Sequence, residues 1–419
     1  MNNYTIESSF NKPQSCEKAV KLREDLFSFK NLYKAYLGCR ENKRTTDHAA
    51  KFEMSFESEL LKLSGELKSH NYQPGPSICF AITDPKLREV WAADFRDRVV
   101  HHLLVSYLEP VWEKMFVFHS YACRQGKGAH KAIRYLKRIV APDLFFLQAD
   151  IQSFFVTIDK SALFSLIKKR VNNPEILWLA EKIIFHDPTT NYIPRGDLNL
   201  LRSVPPHKSL FGKVNRGLPI GNLTSQFFAN VYLNELDQFV KHSLKCRHYF
   251  RYMDDLLLLA SSKEQLLKWR DGIKTFVEIN LKLKLHPKKQ ILQPTTNGIN
   301  FCGYIVKPDY TLIRRRTVKK LKSNLWHFNQ KILKALDSDN ISYACDIIFN
   351  DPFIVFDNEK FTDDFRHIFS SINSVYGFFK HANCYNLRKT LYEKHFGILK
   401  IYLQPINSNY DYFVWKEPY

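Results

Sequence analysis

"RYMDDLLLLA", residues 251–260, sets two adjacent carboxylates directly against four consecutive leucines. Adjacent acids repel one another, while the leucine run asks for burial. A turn at the edge of a core, with a cation beside it, reconciles the two demands. The preceding "HYFRYM" (248–253) is a second short apolar run, so Asp254 and Asp255 read as a tight acidic turn between two strands. A second pair, Asp363-Asp364 in "KFTDDFRH", is an internal contrast. It lacks apolar strands on both sides and reads as a solvated helix start, where acids favour the first turn.

Upstream, "LFFLQADIQSFF" (144–155) is apolar before Asp150 and mixed after it, the pattern of a buried strand ending near an acid. In "GLPIGNLTSQFFANVYLNELDQFV" (217–240), Gly217, Pro219 and Gly221 enforce a turn. Thr224 or Ser225 then caps a helix that buries Phe228, Val231, Tyr232, Leu236 and Phe239. Amphipathic helices are expected over 56–72, 94–115 and 264–285, and another starts at Ala129 or His130 after a basic loop with Gly126 and Gly128. Residues 185–216 read as a long polar connection, and 298–316 as a hairpin ending in a basic patch. From 317 onward the pattern is mostly helical, with a polar interruption around 337–364. The order of elements implies an α+β fold, a sheet with helices on one face.

Asp150 thus ends one buried strand, and Asp254-Asp255 tip a hairpin. If those strands are neighbours in one sheet, three carboxylates converge at one edge. An oxygen-only ligand set on rigid strands suits Mg²⁺. Two such ions about 3.5–4 Å apart clamp the attacking and leaving oxygens of an in-line phosphoryl transfer.

The bulk properties agree with a large anionic partner. The 419 residues carry 62 Lys+Arg against 42 Asp+Glu, a net charge of +20. That excess suits nucleic acid or an anionic membrane surface, or simply a soluble basic protein. At 45% hydrophobic residues a packed core is expected. No run reaches the roughly 18 apolar residues of a spanning helix, so no membrane partner is expected. The first twenty residues show no basic start followed by an apolar core, hence no signal peptide. The eight cysteines (16, 39, 79, 123, 246, 302, 345 and 384) form no CxxC pair. That scatter favours reduced thiols and a cytoplasmic location over a disulfide framework or zinc site.

Taken in order, these motifs resemble those of a reverse transcriptase of bacterial retroelement type, over roughly residues 30 to 400. "QADIQSFF" resembles the first palm motif, which implies Asp150 and the adjacent Ile151 as metal-binding. The YxDD signature stands as Tyr252-Met253-Asp254-Asp255. "FCGY" (301–304) resembles the primer grip usually written FLGY, with Cys302 as a departure. "KLREVWAADFRDRVV" (86–100) and "SYACRQGKGAHKAI" (120–133) resemble finger motifs. The resemblance implies a right-hand polymerase: an N-terminal region with fingers over 1–145, an antiparallel palm over 146–312 and a mostly helical thumb over 313–419. It implies attack by a primer 3′-hydroxyl on the α-phosphate of a dNTP, with two Mg²⁺ ions and Mn²⁺ as a possible substitute.

Further roles follow from the resemblance. Phe155 is either the aromatic that excludes a 2′-hydroxyl or an ordinary core Phe. Arg124, Lys127 and Arg88 are candidate triphosphate contacts, since Arg suits phosphate geometry. Lys289, with Lys288 beside it, matches a lysine that protonates the leaving pyrophosphate. Phe301, Cys302, Gly303, Tyr304, Arg314, Arg315 and Arg316 would lie against primer and template, through contacts that weaken with salt. In "LPIGNLTSQ" (218–226), Gly221 and Gln226 are nucleotide-binding candidates, and Ile220 stands where many relatives have Gln. This stretch is similar to enzymes of diversity-generating retroelements, which imply an RNA template and an accessory RNA-binding protein. Antiphage defence relatives, working with a dedicated structured RNA, are the alternative, and a catalytically dead RNA-binding scaffold is a third reading. Template, DNA or RNA primer and dNTPs are the expected partners. No pattern assigns an oligomeric state, an attached nuclease or an RNase H domain.

Overall fold

The computed structural model describes residues 25–41, 47–84, 86–338 and 359–416. The N-terminal stretch read for a signal peptide, Cys16, Cys345 and most of the polar interruption at 337–364 lie outside them. The first strands are β1 (Ser77–Ile82), β2 (Arg88–Ala92), β3 (Phe145–Asp150), β4 (Tyr192–Pro194), β5 (His248–Tyr252) and β6 (Asp255–Ala260). They are followed by β7 (Ile291–Pro294), β8 (Ile299–Phe301), β9 (Tyr304–Val306), β10 (Thr311–Ile313), β11 (Leu403–Pro405) and β12 (Phe413–Trp415). No helix among the described residues is long and apolar enough to cross a membrane. The chain divides into two compact units, 1–117 with 151–243 and 273–285, and 118–150 with 244–272 and 286–419.

In the first unit, β1 and β2 pair antiparallel, and β4 adds to β1 in parallel. The stretch 185–216, expected to be only a connection, therefore contributes a strand as well as a short helix, Leu198–Arg202. β4 is three exposed residues long, too short to show any alternation. The helix Phe95–Glu113 is capped by Asp94, whose side chain accepts from the Arg96 amide, and it buries Val99, Leu103 and Leu108. The helix Leu223–Gln238 starts after Asn222, and not through a Thr224 or Ser225 cap. Both of those residues are buried in the first turn, while Asn222 Oδ1 accepts from the Ala93 amide at 3.1 Å. Glu89, nearly fully buried, accepts from Trp91 Nε1, Ser209 Oγ and the Leu210 amide. Three donors on one carboxylate fasten the 209–210 loop to β2 and offset the desolvation of the charge.

In the second unit, β5-β6-β3-β7 form one fully antiparallel sheet. All four leucines of β6 are buried at 0–1% exposure. Alternation sends Leu257 and Leu259 into a core with Phe146, Phe250 and the helix Ala129–Lys137, and turns Leu256 and Leu258 to the other side. A central strand buried on both faces reads as a continuous apolar run, which is what the sequence shows. Residues 298–316 form a three-stranded sheet, β8-β9-β10, instead of the single hairpin expected. The helices Arg315–Ser338, Glu359–Phe379 and Tyr385–His395 supply Leu325, Phe365, Tyr376 and Leu391 to the same core. The α+β class and the mostly helical C-terminal part are as expected. The helix expected to 285 ends at Ile279, because Leu281, Leu283 and Leu285 are buried with period two and no longer follow a helix.

Gly221 has φ +125°, and a Cβ there would lie 2.7 Å from the Trp91 carbonyl oxygen. Backbone cannot swing away as a side-chain tip can. Gly221→Ala is expected to destabilise the protein by about 2–4 kcal/mol, measured by urea unfolding. A change below the error of that measurement would show that the turn relaxes freely.

Candidate active site

The site is built by strand register. On antiparallel β3 and β6, Asp150 lies directly opposite Asp255, and Tyr252 of β5 lies opposite Asp255 on its other side. Like charges facing each other across a ladder are destabilising. Between Tyr252 and Asp255 only two residues turn the chain. The first, Met253, has φ +54°, a conformation ordinarily taken by glycine. The second, Asp254, is a half-buried carboxyl pushed up to about 6 by burial and then by Asp150 and Asp255, with Lys289 opposing the rise.

Two cations stand in this unit near the acids. Lys289 Nζ is 2.8 Å from Asp150 Oδ2, and the His286 amide donates to the Asp150 carbonyl. Lys289, of the adjacent pair, is thus the one that reaches the first acid. Arg314 feels burial, which lowers its basicity, and Asp255, which restores it. Its buried Nε has no hydrogen-bond partner among the described residues.

Asp150, Asp254 and Asp255 present oxygen donors alone, the first and last at strand ends and Asp254 in the turn, where burial and then the neighbouring acids raise its carboxyl. That set fits a hard divalent cation. Among the described residues, no three His, Cys, Asp or Glu side chains are gathered as a complete ligand set. Ile151, next in the chain, is fully buried and bridges to Leu285.

The remaining candidates separate by unit. In the first, Arg88 is exposed at the start of β2. Phe154 is in the core, whereas Phe155 is half-buried, with its carbonyl accepting from the Leu218 amide at 2.7 Å. Gly221 is exposed, Gln226 half-buried, and the Ile220 carbonyl accepts from the Trp91 amide at 2.7 Å.

In the second unit, Arg124 Nη1 donates to the Ser120 carbonyl, and Lys127 Nζ donates to the Phe118 carbonyl while lying 3.6 Å over that ring. Phe301 and Tyr304 are fully buried, and the Tyr304 hydroxyl donates to the Phe378 carbonyl at 2.9 Å. These two rings anchor the partly exposed turn Cys302-Gly303, where both residues have positive φ. Burial pushes the Cys302 thiol up, so it is not a thiolate. Arg315 and Arg316 open the helix Arg315–Ser338, exposed. Arg315, Lys319, Lys322 and Arg388 line a groove of about 850 Å³.

Arg251 escaped the sequence reading, although a charge inside the apolar run "HYFRYM" was the signal for it. It is 0% exposed, and its partner Ser120 is equally buried.

A family model for reverse transcriptase (RNA-dependent DNA polymerase) matches residues 83–306, an interval that holds Asp150, Asp254 and Asp255. Protein YkfC of Escherichia coli (strain K12) is 26% identical over 298 residues, covering 62% of this chain and 72% of that protein. Group II intron-encoded protein LtrA of Lactococcus lactis subsp. cremoris is 23% identical over 372 residues, covering 72% of this chain and 59% of LtrA. Nuclear intron maturase 1, mitochondrial, of Arabidopsis thaliana is 32% identical over 87 residues, 21% of this chain and 12% of that protein.

The raised Asp254 carboxyl carries a stability consequence. Its folded-state value of about 6 lies above the ordinary 3.8, so ionising it penalises the folded state. The penalty is full above pH ~6 and vanishes below ~3.8. In chelator, Asp254→Asn is therefore expected to raise stability at pH 7.5 by about 1–2 kcal/mol, after discounting for partial exposure. Urea unfolding from pH 4 to 8 should show the gap closing as the pH falls. A less stable variant at pH 7.5 would mean that the carboxylate is a structural hydrogen-bond acceptor instead.

Proposed function

The chain belongs to the reverse transcriptase (RNA-dependent DNA polymerase) family, and from that premise we propose that it copies an RNA template into DNA at the site of Asp150, Asp254 and Asp255. The observation that carries this reading is the register that sets Asp150 opposite Asp255 beside the Asp254 turn. The primer 3′-hydroxyl attacks the α-phosphate of a bound dNTP, forming the new phosphodiester while the bond to pyrophosphate breaks. Divalent cations, Mg²⁺ or Mn²⁺ in its place, would be held by the three carboxylates and the Ile151 carbonyl, and supply charge neutralisation and an acidified hydroxyl.

The protein's own part is positional. β3 and β6 fix the acids at one sheet edge. Lys289, 2.8 Å from Asp150, is placed to give a proton to the departing pyrophosphate. Arg88, Arg124 and Lys127 are assigned to the triphosphate, Phe155, Gly221 and Gln226 to the nucleotide. The turn Cys302-Gly303, held by Phe301 and Tyr304, is assigned to the primer end, with Arg314, Arg315 and Arg316 on the duplex backbone. Fingers over 1–145, palm over 146–312 and thumb over 313–419 belong to this reading.

The biological role proposed is diversity generation, on the "LPIGNLTSQ" stretch with Ile220 in place of Gln. The extra polar sequence near 337–364 favours the alternative, a defence enzyme with a dedicated structured RNA. The similarity to LtrA, a group II intron-encoded protein, supports a retroelement RNA as template in either case. A dead scaffold is disfavoured because all three acids are present, with Asp150 and Asp255 directly opposed.

The test is DNA synthesis by purified protein with RNA from its native locus and Mg²⁺, with products sequenced. Asp254→Asn/Asp255→Asn should reduce product roughly 10²–10³-fold or more. Errors at template adenines would support diversity generation, and repetitive or accurate copies of one bound RNA the defence role. Equal inactivity of both proteins on every template would favour the scaffold. Binding to primed RNA is expected to weaken linearly in log Kd against log salt, read by fluorescence anisotropy.

A further inference from the structure

Arg251 lies three residues before Asp254 and is completely buried in β5, between Phe250 and Tyr252. A guanidinium out of water is unfavourable unless its donors are matched. Here Nη2 donates to Ser120 Oγ at 2.9 Å, and Nη1 donates to the Met253 carbonyl at 3.2 Å. Ser120 is itself held by backbone. The Arg251 amide donates to the His119 carbonyl at 2.9 Å, and the Tyr121 amide to the Arg251 carbonyl at 3.0 Å. Ser120 and Arg251 form a parallel bridge along the outer side of β5. One end of the guanidinium therefore rests on a fixed hydroxyl, and the other grips the turn.

What it grips matters. Met253 is the first residue of a two-residue hairpin loop and takes φ +54° with a side chain present. A left-handed non-glycine residue costs about 1–2 kcal/mol and persists where its surroundings hold it. The peptide that follows the Met253 carbonyl leads directly into Asp254, so the orientation of that carbonyl sets the direction of the carboxylate.

We propose that Arg251, seated on Ser120, is a positioning residue for polymerisation. It fixes the Met253 carbonyl, and thereby the left-handed turn that presents Asp254 to the metal-binding edge. Only a planar fork with several donors spans hydroxyl and carbonyl at once; a lysine ammonium on a thinner stem does not. The proposal rests on the polymerase reading for its consequence, but its geometry stands without it.

The test compares wild type, Arg251→Lys, Ser120→Ala, the double variant, and Asp254→Asn as a control. Readouts are kcat and KM for dNTP in primer extension, Mn²⁺ binding followed by electron paramagnetic resonance, and thermal unfolding. Arg251→Lys is expected to lower kcat roughly 10–100-fold with KM for dNTP within about threefold, and to weaken Mn²⁺ binding. Ser120→Ala, which deletes one hydroxyl and leaves the charge in place, should move both readouts in the same direction by less. The double variant should fall short of the product of the singles, because the two side chains act through one contact.

A lowered melting temperature with unchanged kcat per folded molecule and unchanged Mn²⁺ binding in Ser120→Ala and Arg251→Lys would overturn the proposal. If Arg251→Lys does not fold, the Ser120→Ala readouts decide alone. If wild type makes no DNA, the polymerase reading fails by itself, and the Mn²⁺ titrations still decide whether Arg251 presents Asp254.

Discussion

Two carboxylates face each other across a single pair of strands, and the rest of the second unit is arranged to keep them there. Asp150 and Asp255 occupy opposed positions in an antiparallel ladder, the placement in which like charges destabilise a sheet most directly. A one-residue slip would separate them, and it would also exchange the faces on which Leu257 and Leu259 meet Phe146 and Phe250. Leu256 to Leu259 are buried at 0–1% exposure, and the same pairing that seats Leu259 opposite Phe146 seats Asp255 opposite Asp150. The hydrophobic strand that looked at odds with the acids in the sequence is what forces them together. Asp254 is lifted to about 6 by burial first and by Asp150 and Asp255 after it.

Much of this was legible in the chain because acids end or interrupt apolar runs there. β3, β5 and β6 are short, buried and bounded by polar residues, so pattern alone placed them and the three aspartates. What stayed hidden has physical reasons. β4 is three exposed residues and pairs in parallel with β1, a partner more than a hundred positions away. The third strand of the second sheet, β10, is equally brief. The end of the helix at Ile279 was masked because "LKLKL" keeps an apolar character while changing its period from helical to alternating.

Side-chain partnerships were less legible than elements. Position alone did not separate Lys288 from Lys289, since the choice depends on which ammonium reaches Asp150. The bond from Arg251 to Ser120 joins residues 131 positions apart, beyond any local pattern. Its only trace was a charge within an apolar strand. Phe301 and Tyr304, named for the primer, are fully buried, so their place in the motif is that of anchors under the Cys302-Gly303 turn. A motif read as letters merges residues that touch a substrate with residues that hold the ones that do.

Lys289 and Arg251 differ in how freely each can move. The Lys289 side chain is 42% exposed and its partner Asp150 17%, so their ion pair is partly screened and contributes little to stability. Such an ammonium can leave the carboxylate and return to it without disturbing the fold. Arg251 is 0% exposed and tied through backbone to the neighbouring segment 119–121, so moving it would uncover a buried charge and break the strand contact beneath it. Charge that must follow a reacting phosphate belongs on a long exposed stem, while charge that must hold a strained turn belongs in the core. Lys289 is of the first kind and Arg251 of the second, and the Met253 backbone lies between Arg251 and the Asp254 carboxylate.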